Sequence, residues 1–348
     1  MYERGSQNQN QSHNKRPLHQ ALLSAALLLG AAVFFLALLS APDPTEPDIP
    51  LIVGAAPPGD FTYTISGDTI TITGYTGLGG DVEIPAEIDG VAVTSIGESA
   101  FVVRLDLTGI IIPDSVTSIG YRAFYACSGL TGDLIIPDGV TSIGRYAFQD
   151  CSGLTGVSIP NSVTSIGDLA FYNCSGLTGD LIIPDNVTSI GALAFYACSG
   201  LTGVSLPDSV TRIDAQSFAN CSGMTEITVA TGNSSYTDIN GVLFTIDLTA
   251  LIQYPAGKIT ADYIILDSVT SIGQYAFYGC AGLTGELIIP DGVTSIGERA
   301  FSGCSGLTGG LIIPDGVTSI AQEAFSGCTG LTGSLMIPES ATTCMSRP

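Results

Sequence analysis

The pentapeptide Val-Thr-Ser-Ile-Gly begins at Val93, Val116, Val140, Val163, Val187, Val269 and Val293, and variants of it begin at Val210 (VTRID) and Val317 (VTSIA). Nothing else in the chain limits its fold so tightly. Successive copies lie 23 or 24 residues apart, except for one step of 59 between Val210 and Val269. A fixed period of this length is the mark of a solenoid. One unit cannot bury its own apolar face, but stacked units cover one another.

Each unit divides into recognisable pieces. The segment LTGDLIIP at residues 130–137 is rich in branched residues and stops at Pro137, so it reads as a short strand. Asp-Gly or Asp-Ser then turns the chain. VTSIG reads as a second short strand, with Val and Ile alternating inward against Thr and Ser outward. A short helical or irregular stretch follows with Ala-Phe and then Cys, and Ser-Gly closes the coil.

This pattern resembles the BspA-like, or treponemal-type, leucine-rich repeats. Their unit runs from a strand ending in Ile-Pro through Val-Thr-x-Ile-Gly-x-x-Ala-Phe-x-x-Cys to Leu. Here it is carried by Ile136-Pro137, Val140 to Gly144, Ala147-Phe148, Cys151 and Leu154 and their equivalents. The similarity extends over about residues 61–338. FTYTISGDTITITGYTG at 61–77 resembles the hairpin that opens such domains, and the irregular block at 227–257 is also similar to theirs.

The resemblance implies a leucine-rich-repeat-type, right-handed solenoid of short parallel β-strands, with about 23–24 residues per coil and an N-terminal β-hairpin cap. Three places depart from the pattern. Arg104 stands where Cys belongs, Leu266 stands where Pro belongs, and residues 339–348 lose the repeat without an obvious polar cap, as in a truncated end.

Residues 1–20 are polar and carry Arg4, Lys15 and Arg16, while residues 21–41 contain no charge. An acidic, Pro-rich stretch follows. A basic flank, an apolar run long enough to span a bilayer and an acidic flank together read as an export element with its N-terminus inside. The expected organisation is therefore a cytoplasmic tail (1–20), a transmembrane anchor or uncleaved signal (21–41), a Pro-rich linker (42–60), a β-rich cap (61–92), a repeat solenoid (93–338) with an irregular insert at 225–263, and a C-terminal tail (339–348). The repeat domain is expected outside a cell membrane that the chain crosses once; cleavage of residues 21–41 as a signal would instead release it.

The chain has a formal net charge of −22, which disfavours nucleic-acid partners. Its two histidines, His13 and His19, precede the apolar run, so the main body has no histidine for a triad, a general base or a metal site. Eight cysteines, Cys127, Cys151, Cys174, Cys198, Cys221, Cys280, Cys304 and Cys328, hold one repeat position. Equivalent Cβ atoms on stacked coils sit about 4.8 Å apart, farther than a disulfide prefers, so these read as small buried residues. A row of acids follows the Ile-Pro strand at Asp114, Asp138, Asp185, Asp208, Asp267, Asp291 and Asp315, with Asn161 in register. Asp suits a tight turn there, and no loop supplies the six to eight oxygens of a Ca²⁺ cage. No catalytic, cofactor or metal-binding residue is assigned.

Information about partners should lie where the repeat varies. The positions around Ala-Phe carry Tyr121, Arg122, Tyr125, Arg145, Tyr146, Tyr172, Tyr196, Tyr275, Tyr278 and Arg299. Tyr and Arg are enriched at binding hot spots, so these ten form the candidate contact stripe. Family members look like adhesins, which implies a non-enzymatic surface protein binding an extracellular protein or glycan. The alternatives are an envelope spacer without a specific ligand and a polysaccharide-active enzyme working through carboxylates. The evenly spread acids argue against the last, because a catalytic site must place unlike residues at one point.

Overall fold

The computed structural model describes residues 55–339 and 341–343. The proposed tail and anchor at 1–20 and 21–41 lie outside them. The described residues belong to one unit, Val53–Pro348.

That unit is a parallel-strand solenoid opened by an antiparallel hairpin, Phe61–Ser66 with Thr69–Tyr75. The second hairpin strand pairs in parallel with Val91–Ile96, and each later Ser-Ile pair adds one short parallel strand as far as Arg212–Ile213. Register is kept from coil to coil: Ser165 lies opposite Ser142 and Ser189, and Ile166 opposite Ile143 and Ile190. The Leu-Ile-Ile segments form the opposite wall in shorter stacks, such as Gly179–Ile182 beside Leu201–Leu206 and Glu226–Val229.

The expected alternation within VTSIG is not what forms. Val140 and Ile143 are both buried, with two outer residues between them, and only Ser142–Ile143 is a strand. The segment is a corner that points two residues inward. Its threonine makes a ladder of its own: Thr117 donates both its N–H (2.8 Å) and its Oγ1 (3.2 Å) to the carbonyl of Thr94 one coil earlier. Thr164 and Thr188 repeat this on Thr141 and Thr164.

The stretch around Ala-Phe is a run of turns. Its second variable residue adopts positive φ in coil after coil, as at Arg122 (53°), Tyr146 (60°), Leu169 (54°) and Leu193 (57°). Non-glycine residues in that region are uncommon and strained. Here the strain is periodic, so it belongs to the coil rather than to one site. It accompanies N–H groups that reach the next coil at every second residue: Arg122, Phe124 and Ala126 donate to Arg145, Ala147 and Gln149.

Inside, the Phe rings stack from coil to coil in two runs, Phe101 to Phe218 and Tyr254 to Phe325. Phe124, Phe148, Phe171 and Phe195 follow one another at 5.1, 5.3 and 5.3 Å between centroids, within 8° of parallel. Beside them run the eight buried, unpaired cysteines. Each thiol donates to the backbone of the preceding coil, Cys151 to the Phe124 carbonyl and Cys174 to that of Phe148, both at 3.1 Å. The position therefore asks for a small side chain that can also donate.

Arg104 replaces the first cysteine because the coil before it is the hairpin. Its guanidinium donates to the Tyr75 and Gly77 carbonyls at 2.7 Å each, pairs with Asp106 at 2.8 Å and lies over the Tyr75 ring. At Leu266 the turn survives without proline: Val269 N–H still donates to the Leu266 carbonyl at 3.0 Å, as Val140 does to Pro137.

The 59-residue step hides a further coil. Glu226–Val229 continues one wall. A hairpin, Tyr236–Ile239 with Val242–Thr245, docks there, with Ile227 N–H donating to the Gly241 carbonyl. Ala250–Gln253 then pairs in parallel with Ser271–Ile272, which puts Leu251 in the Ile slot. Tyr254 takes the Phe slot, stacked on Phe277 at 5.1 Å. Its hydroxyl is buried beside the Thr260 side chain and makes no well-formed hydrogen bond among the described residues. Tyr254→Phe is expected to stabilise the protein by about 1 kcal/mol by removing that unpaired group. A rise in the urea midpoint would show this, and a fall would mean the hydroxyl is satisfied.

Candidate binding face

The ten stripe residues do not form one stripe. They gather in two patches, which part at Gln149, on the same coil as Arg145 and Tyr146, where the neighbouring coils carry tyrosine. Gln149 turns to Asp150 at 3.0 Å, and Asn173 reaches the same carboxylate at 2.9 Å.

The first patch holds Tyr121, Arg122, Tyr125, Arg145 and Tyr146. The Arg122 guanidinium lies 4.9, 5.4 and 5.2 Å from the ring centroids of Tyr121, Tyr125 and Tyr146. Tyr121 and Tyr146 meet edge to face at 5.5 Å. Arg145 covers the Tyr146 ring at 4.7 Å, donates to its hydroxyl at 3.0 Å and sits 3.7 Å from Asp168. Among the described residues, Arg122 has no ion-pair partner. Three rings hold it, and it remains exposed. Cation–π contacts of this kind fix a guanidinium without neutralising it.

The second patch holds Tyr172, Tyr196, Tyr275, Tyr278 and Arg299. Tyr172 and Tyr196 stack at 5.1 Å and 7°. Tyr196 approaches Tyr278 at 6.2 Å, although 82 residues separate them in the chain. The intervening coils present Ala219 and Pro255 after their ring residues, and the two tyrosines lean together over these short side chains. Tyr278 meets Tyr275 at 5.0 Å.

Tyr275 itself is buried, so it supports the patch from below. Its hydroxyl accepts from Arg299 at 2.9 Å, and Arg299 is held by Glu323 at 2.7 Å. Burial raises the hydroxyl pKa of Tyr172, Tyr196 and Tyr275, and Tyr278 beside Tyr196 adds to the shift there. These tyrosines are neutral donors at physiological pH. Tyr125, Tyr172, Tyr196 and Tyr278 are half-buried, each with part of its ring facing out.

Ile143 to Phe148 and Ile272 to Phe277 each take five residues, whereas Leu251 to Tyr254 takes three. The missing corner leaves a cleft of about 140 Å³ between Asp214, Gln216 and Ser217 on one side and Gly273 and Gln274 on the other. Gln253 crosses it, donating to the Tyr254 and Ala276 carbonyls at 2.9 and 3.2 Å. The hydrogen-bond ladder lapses here. Leu193, Phe195 and Ala197 donate to Ala215, Ser217 and Ala219, but the next N–H groups in line, on Gln216, Phe218 and Asn220, find no carbonyl among the described residues. The sequence signal was the shortened Leu251–Tyr254 spacing, which cannot be seen until Tyr254 is recognised as a Phe equivalent.

The acidic row follows the Ile-Pro strands as exposed turn residues, one per coil. Among the described residues, no three His, Cys, Asp or Glu side chains converge as a metal site would require. Among those residues, too, no helix is long and apolar enough to cross a membrane.

A family model described as a BspA type leucine-rich repeat region matches residues 94–225 and 256–347, in six copies. No curated protein sequence matches the chain significantly. Among solved structures, a leucine-rich cell surface protein of Faecalibacterium prausnitzii A2-165 is 29% identical, with a TM-score of 0.60 over 82% of this chain and 96% of that one. A leucine-rich repeat protein of Eubacterium ventriosum is 24% identical, with a TM-score of 0.55 over 78% of this chain and 80% of that one. The pneumococcal vaccine antigen PcpA is 21% identical, with a TM-score of 0.59 over 82% of this chain and 76% of that one. The last two likenesses concern the fold alone.

Proposed function

This chain belongs to the BspA-type leucine-rich repeat family, and on that premise we propose that it is a non-enzymatic cell-surface protein that binds an extracellular protein or glycan through its tyrosine and arginine patches. The observation that carries this reading is the caged, unpaired Arg122 beside half-exposed tyrosines, on a chain of net charge −22 whose coils otherwise repeat. Such a surface is rigid before binding. Rings and guanidinium are already ordered, so little conformational entropy is lost on contact.

The surface location is supported by the cell surface description of the Faecalibacterium neighbour. Residues 21–41 would supply the anchor and residues 42–60 the spacer.

The test is binding of the purified protein to an array of matrix proteins and glycans, beside a variant with Tyr125, Tyr172, Tyr196 and Tyr278 changed to Ala. A specific ligand is expected to bind at least about 30-fold more weakly to the variant, the loss typical of a hot spot. A ligand held equally well by both would move the site away from these patches. No ligand at all would favour the spacer reading.

A further inference from the structure

A second surface lies on the Leu-Ile-Ile wall. In each strand of that wall the middle branched residue points outward. In the first half of the solenoid this position alternates between exposed isoleucines, Ile111, Ile135 and Ile182, and polar residues that interrupt them. Ser158 stands opposite Ile135, and Ser205 and Thr228 follow Ile182 in register.

After the irregular coil the polar residues stop. Ile264, Ile288, Ile312 and Met336 occupy the same position in four successive coils and are 69%, 58%, 59% and 53% exposed. Ile264 bridges to Ile288, and Ile312 pairs with Met336. An uninterrupted row of large apolar side chains open to water is unusual on a protein surface and marks a contact.

Carboxylates border the row on both sides. Asp262 and Glu286 precede Ile264 and Ile288 by two residues, and Asp267 and Asp291 follow them in the turn; all four are exposed. The nearby cations are engaged elsewhere, Lys258 with the Thr225 carbonyl and Arg299 with Tyr275 and Glu323. The partner must therefore present an apolar row flanked by positive charge.

Spacing decides the partner's form. The row crosses the strands, so its side chains repeat every ~4.8 Å, close to the ~5.4 Å pitch of an α-helix. A helix laid along it would set one apolar residue per turn against one residue per coil. An extended strand, whose same-face residues repeat every ~6.6 Å, falls out of step sooner. We propose that Ile264, Ile288, Ile312 and Met336 form a docking strip for a cationic amphipathic helix of a partner protein, separate from the tyrosine patches.

The test uses the full-length chain and a synthetic 14-residue peptide of leucine and lysine with its leucines on one helical face. The expected result is saturable binding, weakened at least tenfold by Ile288→Thr with Ile312→Thr. Thr228 already occupies this position, so the fold accommodates the substitution, and an unchanged melting temperature confirms it. Glu286→Gln with Asp291→Asn should weaken binding and flatten its salt dependence. Equal binding of a scrambled peptide of the same composition, or unchanged binding by the threonine variant, would overturn the proposal. So would a switch from dimer to monomer in that variant, since the strip would then be the contact between two copies.

Discussion

Raising the pH from about 8 to about 10 is expected to unfold the protein without denaturant. The cause is the cysteine row. Burial pushes the thiols of Cys127 and Cys221 up to about 12, and those of Cys151, Cys174 and Cys198 well above their ordinary range. Unfolded thiols ionise near 8.5.

Below that pH both states hold their protons, and the thiols' contribution to stability is complete. Above it the unfolded chain releases protons that the folded chain keeps. Each buried thiol then removes about 1.4 kcal/mol of stability per pH unit, up to its folded value. Several thiols together exhaust the 5–15 kcal/mol that holds a typical domain.

Urea midpoints measured across this range, followed by far-ultraviolet circular dichroism, test the point. Changing Cys151, Cys174 and Cys198 to Ala should make the decline shallower, even though the variant starts less stable. A midpoint independent of pH would contradict the account.

Phe171→Ala should lower stability by about 3–5 kcal/mol, the usual cost of deleting a fully buried ring. Phe171 touches a ring on both sides, Phe148 and Phe195, each at 5.3 Å. Phe325 has a described ring neighbour on one side, Phe301, and is only half-buried. Phe325→Ala should cost distinctly less. Because each coil contacts chiefly its neighbours, the loss at Phe171 also weakens the coupling between the coils flanking it. A broadened or two-step urea transition is the expected sign. Equal costs for the two substitutions would mean that the stack is not a nearest-neighbour structure.

What could be read beforehand follows from how repeats work. The coil period, the Leu-Ile-Ile strands, the buried Phe and the small buried Cys each recur, and recurrence exposes a constraint even in a single sequence. The VTSIG corner is not legible as such, because Val and Ile at spacing three fit a period-two template only loosely and point inward together. The thiol's bond to the preceding carbonyl was missed because a burial argument assigns size and leaves bonding open. The coil ending at Tyr254 is hidden in the sequence because its Ile and Phe slots hold Leu251 and Tyr254 and its corner is two residues short.

The ten binding candidates show the same division. Their positions were legible as the places where the repeat varies. Their grouping was not, because it depends on which side chains on neighbouring coils are long enough to meet. Tyr196 reaches Tyr278 only because Ala219 and Pro255 lie between them. Tyr275 sinks to 6% exposure and becomes a support.

By itself the sequence determined the coil, since an apolar pattern repeated at one period has stacking as its way to leave water. The tertiary structure decided where the stack is imperfect: the cleft beside Gln253, the two aromatic patches, and the apolar row from Ile264 to Met336. Those depend on contacts between coils, and such contacts are set by the heights of adjacent side chains rather than by any residue's place in its own repeat.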